Sequence, residues 1–273
     1  MQINGWKYYN HAMIPTTAPH EEVDLSPIKD RSIWKTGDGI AILARWTSSF
    51  DCGYETSWWY TIQDKPFDIM SLRSSSRRRI TVGLKHFECR KIQPTMYASE
   101  MAEITLRDWQ TYPGAYRPSI SREALIQEYS DCKNIVYGAF DKEDGTLSAF
   151  QLIRDCGSYY SLEQGKSNPE KQKKQVNAAL IYTYITDIGE EYKTGKYLSN
   201  GQRNMVHQTN FNNDLCQYYG FRKAYCKLNI KYRFPINIAI SVLYPFRKIL
   251  ARFDGKLFHN INAILAMEYI KRS

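Results

Sequence analysis

Apolar and polar positions change rhythm along this chain, and the changes predict its elements. Residues 39–46 (GIAILARW) and 57–63 (SWWYTIQ) are short, apolar and aromatic, which predicts strands. Asp64-Lys65-Pro66 ends the second. Over 68–86 the period lengthens to that of a helix. Ile69, Leu72, Ile80 and Leu84 share one face, and Arg77, Arg78 and Lys85 fall off it. From Phe87 the pattern is regular. A strand over 87–92 precedes a helix over 95–110, and Ser121 is placed to cap another. Residues 134–140 and 146–154 predict a hairpin around the turn Asp141–Gly145. After Gly157 a third strand covers 158–164. A long helix follows Pro169, with Val176, Leu180, Tyr184, Ile185 and Ile188 as its apolar stripe. A short strand over 196–199, a helix over 207–219 and an alternating strand over 222–231 complete the series. Residues 1–33, broken by Pro15, Pro19 and Pro27, predict irregular chain.

A length of 273 residues allows one large domain or two small ones. The net charge of +9 is unevenly spread. Residues 231–273 carry eight Lys and Arg against Asp254 and Glu268, and Arg77-Arg78-Arg79 forms a smaller cluster. In the tail, Asn237, Ser241, Lys248 and Arg252 fall on a narrow polar stripe of a helical wheel whose remaining surface is mostly apolar, with Pro245 as a kink or new start. Such a segment fits an anionic membrane surface, the domain itself or a second copy. The six cysteines have no two-residue spacing, so free thiols in a reducing compartment are expected. No apolar run follows a basic start, and no stretch of about 20 apolar residues occurs. A cytoplasmic protein is therefore expected, in peripheral contact with the inner membrane face if the tail meets lipid. The 21 tyrosines suit either aromatic packing or a cleft for sugars or bases. The five histidines are too scattered to suggest a metal site.

The stretch HQTNFNNDLCQYYGFRKAYCKLNI (207–230) ends a helix in Tyr219-Gly220-Phe221 and passes at once into a strand. Gly220 can take the positive φ of a helix stop, and Phe221 can then enter the core. Together with the order strand, two helices, three strands, helix, strand, helix, strand, this resembles the GNAT acyltransferase fold over residues 86–231. The preceding segment, with Ser76-Arg77-Arg78-Arg79 and Lys85 on a basic helix, resembles the Fem-type aminoacyltransferases. The resemblance implies an α/β (α+β) fold with a mixed, mostly antiparallel sheet flanked by helices. The expected parts are an N-terminal extension (1–85), a GNAT-like domain (86–231) and a basic helical tail (232–273).

The resemblance also implies a site. In GNAT enzymes a Gly-rich loop opens the long helix and holds the coenzyme A pyrophosphate on its N-terminus. The matching stretch here is Lys173-Lys174-Gln175-Val176-Asn177-Ala178, which assigns Lys173, Lys174, Gln175, Asn177 and Ala178 to acetyl-CoA or another acyl-CoA. Val176 stands where the first Gly is usual and is expected to crowd the phosphate. Fem-type enzymes lack this loop and use aminoacyl-tRNA, which leaves that donor open, with Arg77–Arg79 as its weak basic contact. Cys216 stands where many GNAT enzymes have the tyrosine acid, which leaves Tyr218 or Tyr219, with the helix end rotated, as the substitute. The fourth strand of the fold splays from the fifth, and its free N–H groups face the acyl carbonyl. Glu163 on that strand is the candidate base, with Tyr160 beside it for substrate. His207, whose ordinary pKa is about 6.5, suits proton transfer at the cleft mouth. Arg203 and Asn210 flank it for an anionic or sugar ligand, and Arg78 adds a further substrate contact. The expected function is acyl transfer to an amine, such as an amino sugar or a cell-envelope precursor. The alternative is a non-catalytic ligand-binding or membrane-docking protein of the same fold.

Overall fold

A computed structural model describes residues 3–112, 114, 117–203, 211–253 and 255–273. In chain order the elements are β1 (Trp6–Tyr9), β2 (Ala12–Pro15), α1 (Ser26–Lys29), β3 (Leu43–Ser48), β4 (Trp58–Gln63), α2 (Ser74–His86), β5 (Phe87–Ile92), α3 (Pro94–Gln110), α4 (Arg122–Ser130), β6 (Ile135–Asp141), β7 (Leu147–Asp155), β8 (Tyr160–Ser167), α5 (Val176–Gly189), β9 (Leu198–Gln202), α6 (Phe211–Tyr218), β10 (Arg222–Tyr232), α7 (Ile236–Leu243), α8 (Arg247–Leu250) and α9 (Lys256–Arg272). The chain forms two compact units. A terminal unit comprises Met1–Tyr60, Gln202–Asn210 and Lys223–Ser273, and a central unit comprises Thr61–Gly201 and Phe211–Arg222.

In the central unit β5, β6, β7 and β8 form an antiparallel meander, and β9 joins β8 in parallel. Both faces of this sheet are covered. Tyr137 and Ala139 on β6 pack with Ile80 of α2 and with Val176, Ile181, Tyr184 and Ile185 of α5. Their neighbours Val136 and Phe140 pack with Met101 and Ile104 of α3 and Leu125 and Tyr129 of α4. The alternation follows from the two-residue period of a strand. Double-sided burial explains why the run from Leu147 to Ile153 is buried throughout. Helices α2 and α5 approach closely at Gly83, where a Cβ would lie 2.5 Å from the Gln175 carbonyl oxygen and 3.0 Å from Ala179 Cβ. Helix α6 ends as its sequence predicts. Gly220 has φ 75°, the Phe221 N–H donates to the Leu215 carbonyl at 3.3 Å, and Phe221 is buried in the α2/α5 core.

The terminal unit corrects one expectation. Residues 1–33 are not wholly irregular, because β1 and β2 form a hairpin in which Tyr9 faces Ala12. Its two-residue turn is Asn10-His11, with φ of 46° and 61°. Both values are positive, as a type I′ turn requires. The usual Asn-Gly signal is absent, so the turn does not announce itself. β2 pairs with β3 in parallel, and β3 pairs antiparallel with β10 from Lys227 to Tyr232. Trp6, Met13, Ile33, Ala41 and Ala44 form its core. In the tail a 3-10 turn at Tyr244–Phe246, containing Pro245, separates α7 from α8. Among the described residues no helix is long and apolar enough to cross a membrane. All six cysteines are free thiols. Only Cys226 is fully buried, and burial pushes it and Cys89 up to about 12.

Candidate active site

Strands β8 and β9 pair only through Tyr160↔Leu198 and Ser161↔Ser199. Beyond those pairs the central unit holds a cavity of about 330 Å³. Glu163, Lys166 and Ser167 of β8 line it, together with Asn200 of β9 and Asn177 and Tyr184 of α5. The register of β8 against β7 shifts between Gln151 and Ile153, so the bulge lies beside the cavity. Gln151 also lines it, and a Cβ at Gly165 would collide with the Gln151 amide oxygen. Glycine at 165 therefore leaves the Gln151 side chain its place against β8.

Charge inside the cavity is internally balanced. Lys166 Nζ, whose side chain is 9% exposed, donates to Asp108 Oδ2 at 2.6 Å and to the Tyr112 hydroxyl at 2.8 Å. Asn200 donates to Asn212 Oδ1 at 2.6 Å. Tyr184 is fully buried, and its hydroxyl has no partner among the described residues. Burial holds that hydroxyl well above its ordinary range, so it remains protonated. Helix α5 starts without a side-chain cap. Gln175, immediately before it, is left-handed at φ 63°. The Ala178 N–H donates to the Gln175 carbonyl at 3.0 Å, so Val176 and Asn177 carry the first-turn N–H groups without a side-chain cap, and Asn177 lines the cavity.

The residues singled out in the sequence fall in different places. Glu163 and Asn177 both line the cavity. Glu163 Oε1 is held by Arg154 at 2.7 Å. Ala178 is buried in the core, and Lys173 is exposed. Lys174 pairs with Glu143 at 2.9 Å and reaches Asp141 at 3.6 Å. Lys171 binds the same Asp141 at 2.6 Å. Val176 does not crowd the helix start: its side chain is fully buried in the α2/α5 core. Tyr160 is buried where β8 meets β9, with Lys196 4.8 Å from its ring centroid. Tyr219 is buried, and burial pushes its hydroxyl up to about 12 against the opposing pull of Arg79. Neither tyrosine is among the residues lining the cavity. Arg78 is exposed on α2. Arg203 belongs to the terminal unit, where it donates to the Ser57 carbonyl at 2.8 Å and lies 4.4 Å over the Trp59 ring. His207 and Asn210 lie outside the described residues.

Sequence reasoning did not single out Asp108, Tyr112, Gln151, Tyr184 or Asn200 for this site. Tyr184 reads as one more member of an apolar stripe, and only its polar tip hints otherwise. Asp108 is 58 residues from Lys166, and nothing local connects them. Among the described residues no group of three or more His, Cys, Asp or Glu is arranged to hold a metal ion.

No protein-family model and no curated protein sequence matches the chain. Solved structures do. FemX is similar at 10% identity, covering 86% of this chain and 85% of that chain, with a TM-score of 0.56. L-PGS from Bacillus licheniformis is similar at 13% identity over 98% of this chain and 85% of that chain, with a TM-score of 0.53. The C-terminal domain (DUF2156) of an Agrobacterium fabrum protein assigned as a lysylphosphatidylglycerol synthetase is similar at 10% identity, over 87% and 84% of the two chains, with a TM-score of 0.51. The fold is thus the GNAT-like, Fem-like fold: a mixed, mostly antiparallel sheet flanked by helices, with a C-terminal helix.

Proposed function

We propose that the chain is an acyltransferase that moves an acyl group from acyl-CoA to an amine, such as an amino sugar or an envelope precursor. One observation carries this reading. The β8/β9 splay opens a cavity that also receives the uncapped first turn of α5. An anionic donor would meet the α5 N-terminus, and its carbonyl would meet the unpaired edge of β8. In the reaction the acyl carbon bonds to the amine nitrogen and the carbon–sulfur bond breaks. The amine gives up a proton, and the leaving thiolate gains one. In this reading Glu163 of β8 takes that proton, directly or through water. Tyr184 lines the cavity but its hydroxyl is buried, so in this reading the thiolate takes its proton from water.

The test is release of free thiol from acetyl-CoA in the presence of amino-sugar acceptors. Acceptor-dependent release is expected, with Glu163→Gln reducing turnover about 100-fold, the low end of general-base catalysis. Unchanged turnover in that variant would remove Glu163 from its role. Aminoacyl-tRNA is the second reading. It is favoured by the chain-long likeness to FemX and by the internal pairing of Lys166, Lys171 and Lys174, which leaves few free cations beside the α5 start.

We also infer a peripheral contact with anionic membrane through the tail. Between Lys231 and Phe253 the sequence has Lys231, Arg233, Arg247, Lys248 and Arg252 but no Asp or Glu. Phe234, Ile238, Val242, Phe246, Ile249 and Phe253 are each more than half exposed. Apolar side chains beside uncompensated cations suit the boundary between headgroups and acyl chains.

A further inference from the structure

The terminal unit holds a second cavity, of about 100 Å³, and its chemistry differs from that of the first. Arg45 of β3 is half-buried and lines it. Among the described residues no carboxylate pairs with this guanidinium. Burial lowers its pKa, and the groups acting against that are the hydroxyls of Tyr60 and Tyr9 rather than any acid. Glu21 also lines the cavity, but its Oε2 accepts from the Ala18 N–H at 2.9 Å. Thr17 lies on the same wall, and its buried hydroxyl has no partner among the described residues. The rest of the polar wall is organised. The Tyr60 hydroxyl accepts from Gln202 Nε2 at 2.6 Å and contacts the Thr47 hydroxyl at 3.3 Å.

A half-buried guanidinium without an anion and a buried hydroxyl without a partner are each unfavourable. Both line this small cavity of mixed polar and apolar wall, and Arg45 also lines a larger cavity of about 520 Å³ beside Tyr9. A volume of about 100 Å³ admits one compact group and little more. The group that satisfies both is an oxyanion, since a carboxylate or phosphate accepts from the planar fork of an arginine and from a hydroxyl at once. We propose that this cavity is a binding site for a single oxyanion group, carboxylate or phosphate, held by the Arg45 guanidinium and the Thr17 hydroxyl. The Tyr60, Thr47 and Gln202 network fixes the opposite wall and holds the shape of the site.

The test titrates the full chain with sodium acetate and, separately, with inorganic phosphate, against chloride at matched ionic strength, while thermal unfolding is followed. A saturable rise in Tm with at least one of the two oxyanions is expected. A response to acetate alone identifies a carboxylate ligand, a response to phosphate alone identifies a phosphate group, and both support the site. Arg45→Met should weaken the apparent affinity at least tenfold, and Thr17→Val should weaken it less. Arg45→Met is also expected to keep or raise the ligand-free Tm, because it removes a desolvated charge that no residue balances. Thr17→Val supplies a second, milder readout if Arg45→Met folds poorly. No saturable response to either anion, or a response unchanged in both variants, would overturn the proposal. This result is independent of the donor assay, which reads the central unit.

Discussion

Lys166 and Arg45 each line a cavity, one in the central unit and one in the terminal unit, but of the two only Lys166 forms an ion pair. Asp108 and the Tyr112 hydroxyl satisfy Lys166 within the chain. Arg45 has hydroxyls nearby, and Glu21 of the same cavity makes no ion pair with it. The desolvation of Lys166 is offset by the fold itself, so this cation needs no anion from outside. The desolvation of Arg45 is not offset by the fold, so its cavity is finished only by an anion from outside. The same residue class therefore serves architecture in one unit and recognition in the other.

The largest expected effect comes from breaking the completed pair. Lys166→Met leaves the partly buried Asp108 without its cation and should destabilise the protein by about 3 kcal/mol, measured by urea unfolding. Replacing Asp108 with Leu in the same chain should restore most of that loss. Arg45→Met, by contrast, should cost nothing in stability. Equal destabilisation by Lys166→Met and Arg45→Met would break the contrast between the two cavities.

A second pair sharpens it through pH. The Asp141 side chain is fully buried between Lys171 and Lys174. Burial acts to raise its carboxyl, but the hydrogen bonds from Lys171 and the Glu143 N–H, with the charge of Lys174, outweigh it and hold the group below the usual carboxylate range. A carboxyl lowered in the folded state contributes stability that is fully present above the unfolded value of about 3.9 and is lost as pH falls through the folded value. Asp141→Asn should therefore flatten the fall of Tm on acidification below about pH 4, and an unchanged acid slope would show that the pair is not linked to folding. The smallest effect is expected at the tail. Vesicles containing phosphatidylglycerol should retain the protein more than phosphatidylcholine vesicles, with salt reducing the difference by screening. Val242→Ser with Phe246→Ser should abolish retention. A concentration-dependent dimer lost in the same variant would instead mark the tail as a contact between copies.

Much of the fold was legible because its signals are local. Phe87–Ile92 forms the strand its composition predicts, Ser121 caps α4 by accepting from the Ala124 N–H, and Gly220 stops α6. The N-terminal hairpin was missed because Asn10-His11 takes a turn usually signalled by glycine. Part of the cavity lining was legible. Glu163 and Asn177 follow from their positions in the element order, and both line the cavity. The pairing of Lys166 with Asp108 and the unpaired state of Arg45 depend on residues distant in sequence, which no local pattern encodes. The crowding expected at Val176 failed for a related reason. A residue beside a helix start points to solvent or to the core according to the tertiary packing, and here it packs into the core.

The most direct test of the acyl-transfer reading is calorimetric titration of the full chain with acetyl-CoA and with coenzyme A alone. The account predicts saturable binding of both in the micromolar range, followed by thiol release once an amine acceptor is supplied. No heat of binding with either compound would contradict the acyl-CoA donor, and charged tRNA would then be the donor to titrate.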